Sequence, residues 1–294
     1  MDTKLAKNYT ILFLIILNIL LFFISFLLKD KYKLDKEQEK AIVSYLEQEN
    51  IKIYTELPKK YYPMHKISMK KTKNDNLMLQ KVFFDNTSNL IRTEKFEDTI
   101  FKQGDKILII NNLFIHFKDL EEKDNFAYNK KNCFSIAKEY KDNLEKIYGK
   151  MYLDRFEEEE EYIFVSYIQK LNKYKIFNNI LNIKIYKKGK VEIYFNNYQK
   201  PDIISEKIDI CSSDEATYTF IKKIKTLIPD KVIYITQIDL GYYLKYDNEN
   251  ITFSFLPYYR FYIKNSKTPF YVNAYTNSFE YENTIIEAQE IFYN

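Results

Sequence analysis

The sequence predicts an α+β body carried on one N-terminal transmembrane helix. Residues 10–28 form an apolar run without a charged side chain, and no second run of this kind follows in the 294-residue chain. Beyond it, a helical pattern followed by about three antiparallel strand runs recurs about four times, and neighbouring strands in series favour α+β layers over a parallel, doubly wound sheet. We therefore expect two domains in which helices pack on antiparallel sheets.

The apolar run is expected to be a retained membrane anchor. At about 1.5 Å per residue, a helix of this length just crosses a hydrocarbon core of about 30 Å. A cleaved signal peptide has a shorter apolar region and a small-residue cleavage site, whereas this run leaves through Phe26-Leu27-Leu28-Lys29 with no Ala or Gly nearby. We therefore expect a cytoplasmic tail (1–9), the anchor (10–28) and a juxtamembrane segment (29–33).

Two polar residues interrupt the anchor. Asn18 and Ser25 are close to two helical turns apart, so they point the same way, with Leu14, Leu21 and Phe22 beside them. An amide in hydrocarbon is costly without a partner, and interhelical hydrogen bonds contribute about 0.6–2 kcal/mol. These five residues predict a face that binds another transmembrane helix. The alternative is that the amide bonds to its own backbone.

The charges beside the anchor leave its orientation open. Lys4 and Lys7 precede it, whereas five lysines crowd behind it, at positions 29, 31, 33, 36 and 40. By itself the positive-inside rule therefore favours a cytoplasmic body, but long domains translocate largely regardless of charge.

The composition gives little support to catalysis or nucleic-acid binding. The net charge is only +4, and Lys and Glu are interspersed, whereas nucleic-acid binders concentrate basic residues on one face. His65 and His116 have no neighbours at metal-ligand spacing, and four glycines cannot build a phosphate loop. Cys133 and Cys211 are expected to be small buried residues, with a single disulfide as the alternative. We therefore expect no catalytic residue, cofactor or metal.

The first domain is expected to cover 34–125. Asp35 and Gln38 match a capping box that opens a helix ending near Asn50. The polar, aperiodic segment 118–131 then predicts the domain boundary. The other expected elements are a strand at 51–54, a helix at 74–85, and strands at 89–95, 97–103 and 106–117.

The second domain is expected to cover 126–294. An apolar stripe from Ala137 to Ile147 predicts a helix closed by Gly149. The five carboxylates at 157–161 predict a solvated strand entrance or hairpin tip, and Gly241 inside a strand suggests a bulge. Ser212 and Glu215 form a capping box before a helix with the apolar stripe Phe220, Ile221, Ile224 and Leu227. Strands are expected at 160–170, 177–186, 190–197, 232–246, 251–256, 258–264 and 269–276.

Aromatic residues are unusually abundant, with 28 Tyr and 23 Phe. Rings on sheet faces pack across strands or form contact surfaces for partners. Packing is the favoured interpretation.

Several segments in order resemble the YycH/YycI family, and most closely its YycI branch. The likeness covers nearly the whole length and includes the short tail and single span. Tyr259 stands where we expect the family's Trp, and the glycine expected before Phe177 is absent. The matching segments are 41–58 (AIVSYLEQENIKIYTELP), 166–169 (SYIQ), 176–178 (IFN), 212–216 (SSDEA), 237–243 (QIDLGYY), 257–261 (PYYRF) and 271–275 (YVNAY).

The resemblance implies an extracytoplasmic, non-enzymatic body and a cytoplasmic N-terminus. It also implies regulation of a sensor histidine kinase of the WalK/YycG type, in a Gram-positive two-component system that controls cell-wall metabolism. The partners would be that kinase and a YycH-like protein, in a homo- or hetero-oligomer. The closing strands also resemble PepSY-like domains. From them we expect partner contacts by Tyr242, Tyr259, Arg260, Asn273 and Tyr275.

Two alternatives remain open at this stage. One is a cell-envelope scaffold or PepSY-like module whose aromatic sheet binds a peptide or protease. The other is an exported hydrolase, which would depend on His65, His116 or a cysteine.

Overall fold

The computed structural model describes residues 3–70, 74–84, 86–112, 114–196, 198, 201–227, 231–245, 253–264, 266 and 268–280. Over these residues the α+β prediction is confirmed. The helices are α1 (Thr3–Asp30), α2 (Lys36–Gln48), α3 (Asn76–Phe83), α4 (Lys130–Tyr148) and α5 (Ser213–Leu227).

The described strands include four that the sequence patterns did not predict. These are β2, β7, β11 and β15. In chain order the strands are β1 (Ile51–Ile53), β2 (Met64–Met69), β3 (Ile91–Lys95), β4 (Asp98–Gln103), β5 (Lys106–Ile110), β6 (Ile115–Asp119), β7 (Tyr152–Glu158), β8 (Tyr162–Leu171), β9 (Tyr174–Tyr186), β10 (Val191–Asn196), β11 (Asp202–Ile208), β12 (Ile233–Lys245), β13 (Phe253–Ile263), β14 (Phe270–Asn273) and β15 (Phe279–Glu280).

Two strand predictions need correction. The run 106–117 is two antiparallel strands, β5 and β6, because the chain turns after Ile110 and residue Ile115 pairs back onto it. Of the runs predicted at 251–256 and 258–264, residues 253–256 and 258–263 belong to the single strand β13, which continues through Pro257, and 251–252 lie outside the described residues.

The chain forms two compact units, which are described separately. Unit 1 takes its described residues from 3–64, 208–239 and 259–280, and unit 2 from 65–207 and 240–258. The predicted boundary between residues 125 and 126 lies inside unit 2. The reason is that β6, before this point, pairs with β10, after it, over five residues.

In unit 1 the predicted capping box is confirmed at the start of α2. Asp35 Oδ1 accepts hydrogen bonds from the backbone N of Glu37 and Gln38 at 2.7 and 2.8 Å, and Gln38 Oε1 accepts one from Asp35 N at 3.1 Å. The helix then buries Ile42 and Leu46.

The sheet pairing of unit 1 is mixed, whereas the sequence predicted antiparallel sheets. β1 pairs in parallel with β12, from Ile51 opposite Ile233 to Ile53 opposite Ile235. Parallel pairing needs a long connection, and the chain between these two strands supplies one.

Helix α5 packs through its predicted stripe, with one exception. The ring of Phe220 stacks on that of Phe261 with centroids 4.3 Å apart, and Ile221 and Ile224 are buried. Leu227, predicted to join them, is 53% exposed because it is the last residue of the helix.

In unit 2 an antiparallel series of strands is covered on one face by α3 and α4. The series runs β3, β4, β5, β6, β10, β9, β8 and β7. Its core includes Phe83 and Phe117, whose rings stack at 4.6 Å, together with Leu144 and Ile193. The acidic run 157–161 covers the end of β7 and the hairpin tip: Glu157 and Glu158 belong to the strand, and Glu159 N donates to Tyr162 O at 2.9 Å where β7 turns into β8.

A wide bulge interrupts the β8–β9 ladder of unit 2. Ile168 pairs with Ile180, but the next residue, Gln169, pairs with Ile176, so residues 177–179 of β9 have no opposite residue on β8. Such bulges bend a strand and open its ladder. The surface around this bulge is the concave region described below.

Candidate functional site

The N-terminal helix α1 is the first candidate interaction element. Within it, Lys7–Ser25 is long and apolar enough to cross a membrane, and none of that stretch is buried in the structure. The span predicted at 10–28 therefore lies inside one continuous helix.

The predicted polar stripe lies along one side of α1. Residues advance by about 100° each around a helix, so Leu14, Asn18, Leu21, Phe22 and Ser25 fall within one sector. All five are exposed, with Leu21 at 54% and Phe22 at 74%. The stripe is therefore accessible to another helix, and its role in binding stays a prediction.

The residues predicted for partner contacts on the closing strands are mostly internal. Tyr242, Tyr259, Arg260 and Asn273 are all at most 4% exposed, and Tyr275 is half-buried. Tyr242 belongs to unit 2, whereas the other four belong to unit 1. Side chains this deeply buried hold the fold together and leave little surface for a partner.

Arg260 holds two strands of unit 1 together. Its Nη2 lies 2.5 Å from Asp239 Oδ2, and Gln237 Nε2 donates to the same oxygen at 2.8 Å. The guanidinium also lies over the ring of Tyr262, 4.9 Å from its centroid. The pair thus joins β12 to β13 below the surface.

The other three residues in unit 1 bond to the backbone. Tyr259 donates its hydroxyl to Cys211 O at 2.9 Å, and Tyr275 donates to Met64 O at 2.9 Å. Asn273 Oδ1 accepts from the backbone N of Tyr275 and Thr276 at 2.9 and 3.2 Å. Burial raises the pKa of Tyr275 to about 12, so its hydroxyl keeps the proton that it donates.

A cleft of about 460 Å³ in unit 2 is the second candidate site. Volumes of this size are typical of ligand pockets. No feature of the sequence predicted this cleft. It is lined by Met69, Ile147, Tyr148, Gly149, Lys150, Tyr152, Gln169, Lys170, Leu171, Ile176, Asn179, Tyr198 and Pro201.

Side-chain amides at the β8–β9 bulge fix one wall of the cleft. Asn179 Nδ2 donates to Gln169 Oε1 at 2.6 Å and to Tyr198 O at 3.1 Å, while Asn179 Oδ1 accepts from Tyr198 N at 3.1 Å. Gln169 Nε2 in turn donates to Tyr148 O at 2.7 Å. The amides thus supply bonds that the interrupted ladder cannot, and they make this wall rigid.

Two lysines in the cleft lining lie near the same aromatic ring. Lys170 Nζ and Lys150 Nζ lie 4.5 and 5.2 Å from the ring centroid of Tyr152. A cation near a ring face at these distances gains a modest electrostatic attraction. Both ammonium groups are therefore held near one ring of the cleft.

A charged cluster around the buried side chain of Glu192 occupies another part of the unit 2 sheet. His116 Nε2 and Lys118 Nζ lie 2.9 and 3.2 Å from Glu192 Oε1, and Tyr186 donates to Glu192 Oε2 at 3.1 Å. Burial raises the pKa of Glu192, but the His116 hydrogen bond and the Lys118 charge outweigh it and hold that pKa at about 2. Glu192 is therefore a permanent acceptor near neutral pH.

The cysteines are free thiols in protected surroundings. Burial raises the pKa of Cys133, and burial together with the charge of Glu215 raises that of Cys211 to about 12. Because the thiolate is the nucleophile, neither thiol is activated. His65 Nδ1 lies 2.9 Å from Ser205 O, and among the described residues no group of three or more His, Cys, Asp or Glu is placed to hold a metal.

No family model matches the chain, and no curated protein matches it. Among solved structures, it is similar to an uncharacterized protein from Eubacterium rectale, with 12% identity, a TM-score of 0.50, and coverage of 79% of this chain and 89% of that one. It is also similar to the YpeB C-terminal domain of Bacillus megaterium, with 12% identity, a TM-score of 0.42, and coverage of 72% and 97%. At this identity the first likeness shows the fold alone.

Proposed function

We propose that the chain is a single-pass membrane protein that regulates a sensor histidine kinase of the WalK/YycG type. Its N-terminus is cytoplasmic, its body lies outside the cell, and it acts through protein contacts without catalysis. A YycH-like protein is the expected second partner, and membership of the YycI branch with a PepSY-like body is part of this proposal.

The exposure of α1 is the observation that carries the proposal. A helix apolar enough to cross a membrane presents Asn18 and Ser25 on one sector, and the body covers none of it. A regulator shifts a kinase equilibrium only by binding one state better than the other. A coupling free energy of about 1–3 kcal/mol is sufficient, which is within reach of a few interhelical contacts.

Co-purification of the full chain with the WalK-type kinase of the same genome tests the proposal. We expect Asn18→Leu to weaken the association and to change kinase output. A matched pair controls for packing, because Leu20 and Leu21 are both 54% exposed but lie about 100° apart. Leu21→Ala, within the stripe, should weaken association more than Leu20→Ala, outside it.

Replacing α1 by an unrelated transmembrane helix separates the leading function from its alternative. Loss of kinase association in this variant agrees with contacts through the span. Full retention would contradict them and favour a scaffold or peptide-binding module that acts through its body.

A further inference from the structure

We propose that the unit 2 cleft binds an apolar carboxylate, meaning a carboxylate attached to a short apolar body. A peptide C-terminus with an apolar last side chain and a short fatty acid share this chemistry. The site does not depend on the proposed kinase partner.

The charges of the lining residues favour a negatively charged ligand. The lining residues include two lysines and no Asp or Glu. Among the described residues, Lys150 and Lys170 form no ion pair with a carboxylate, in contrast to the nearby Lys175, whose Nζ lies 2.7 Å from Asp154 Oδ1. An anion is therefore favoured over a metal ion or an amine.

The ring of Tyr152 localises that charge. Both Nζ atoms lie within 5.2 Å of its centroid, so two positive charges are held beside one ring and attract a carboxylate to this part of the cleft. The neighbouring amides of Gln169 and Asn179 already bond to each other and to the backbone. The lysines are consequently the groups available to recognise a charged head.

The remaining lining favours an apolar body on that head. Ile147, Leu171, Ile176 and Pro201 provide aliphatic surface beside the lysines. Burying apolar ligand surface against these side chains favours binding, whereas exposed ion pairs contribute little by themselves. Recognition therefore requires both parts of the ligand.

Calorimetric titration of the full chain in lipid nanodiscs, with empty nanodiscs as the blank, tests the site. The probes are N-acetyl-Phe-Leu, its C-terminal amide, and hexanoate. We expect the dipeptide acid to bind about five- to tenfold more tightly than its amide, as two weak ion pairs would give. If the dipeptide acid binds more tightly than hexanoate, the natural ligand is a peptide C-terminus. If hexanoate binds more tightly, it is a fatty acid.

Charge-matched variants assign the binding to the cleft. Lys150→Gln with Lys170→Gln should abolish the discrimination between acid and amide. Lys131→Gln with Lys138→Gln removes the same charge from exposed positions on α4 and should leave it intact. Leu171→Ala should weaken the dipeptide acid without removing the discrimination, and circular dichroism of each variant checks its fold. Equal binding of acid and amide, equal effects of the two double variants, or no binding by any probe would overturn the proposal.

Discussion

Arg260 and Asp239 form an ion pair whose cationic side chain is only 1% exposed. Taking both charges out of water costs several kcal/mol, which the pair and the hydrogen bond from Gln237 offset. The net contribution of such a pair to stability is therefore small. Removing one partner is costly because it leaves the other charge buried and uncompensated.

Arg260→Met should therefore destabilise the protein by about 3–5 kcal/mol, measured by denaturant unfolding of the full chain. Adding Asp239→Leu should recover part of the loss. Arg92 and Glu94 provide the control, since their atoms are also 2.5 Å apart but their side chains are 59% and 66% exposed. Arg92→Met is expected to change the free energy of unfolding by at most about 1 kcal/mol. Equal losses at the two arginines would contradict this account of the buried pair.

Glu192 predicts a pH dependence of stability. Its pKa of about 2 in the folded protein lies below the ordinary value of about 4.3. Its ionised form therefore stabilises the fold above about pH 4.3, and this contribution is lost as the pH falls towards 2. The difference in unfolding free energy between wild type and Glu192→Gln should narrow over that interval.

Glu160→Gln, at the exposed hairpin tip, is the matched control. Its difference in unfolding free energy from wild type should not narrow in the same way as the pH falls. This variant removes one carboxylate without disturbing the charged cluster around Glu192. A Glu192→Gln difference that stays constant from pH 5 to pH 2 would show that the carboxylate is not specially stabilised.

Sequence patterns predicted interactions between residues that are close in the chain, but not those between residues that are far apart in it. Asp35 and Gln38 act within one helical turn, so their pattern sufficed to predict the cap. The resemblance of the closing strands predicted that Arg260 contacts a partner, and it did not indicate Asp239, which lies 21 positions earlier on another strand and bonds to Arg260. Only the strand pairing brings them together.

At the scale of whole elements, the register of the β7–β8 hairpin could not be predicted from the sequence either. Tyr152 pairs with Ile168 and Leu153 with Tyr167, but Arg155 pairs with Ser166, so one residue is inserted at position 154. A register counted back from the acidic tip would be wrong by one residue, which exchanges the two faces of a strand. The approach of Lys150 and Lys170 to one ring therefore could not be predicted from the sequence.

Gly241 tests the parallel pairing of β9 with β12 in unit 2. It lies opposite Lys175, and a Cβ at this position would be 2.4 Å from Lys175 O. Because the obstacle is backbone, Gly241→Ala should force the strands apart and destabilise unit 2 by about 3 kcal/mol or more, at the upper end of the effects of overpacking. Thermal unfolding monitored by circular dichroism measures the loss.

Gly104→Ala is the control for glycine removal. Gly104 has a φ of +57° in a turn, but no atom lies within 4 Å of an added Cβ. Only the cost of a left-handed alanine, about 1 kcal/mol, is expected there. A Gly241→Ala variant as stable as Gly104→Ala would argue against close packing of β9 and β12.

At the scale of the whole molecule, the α+β class and the N-terminal helix follow from the sequence. Both depend on local signals, namely hydrophobic periodicity and an uncharged apolar run. The two units are built from discontinuous segments, and no local composition marks where the chain leaves a unit and returns. The polar segment 118–131 suggested a boundary, whereas it connects elements within unit 2.

The side of the membrane on which the body lies decides the account as a whole. The lysines that follow the span favour a cytoplasmic body, whereas regulation of the extracellular part of a sensor kinase requires the opposite. Paired fusions of alkaline phosphatase and green fluorescent protein to the C-terminus measure this directly. We predict that the alkaline phosphatase fusion is active and that the green fluorescent protein fusion does not fluoresce. A fluorescent fusion with inactive phosphatase would place the body in the cytoplasm and contradict the proposed regulator.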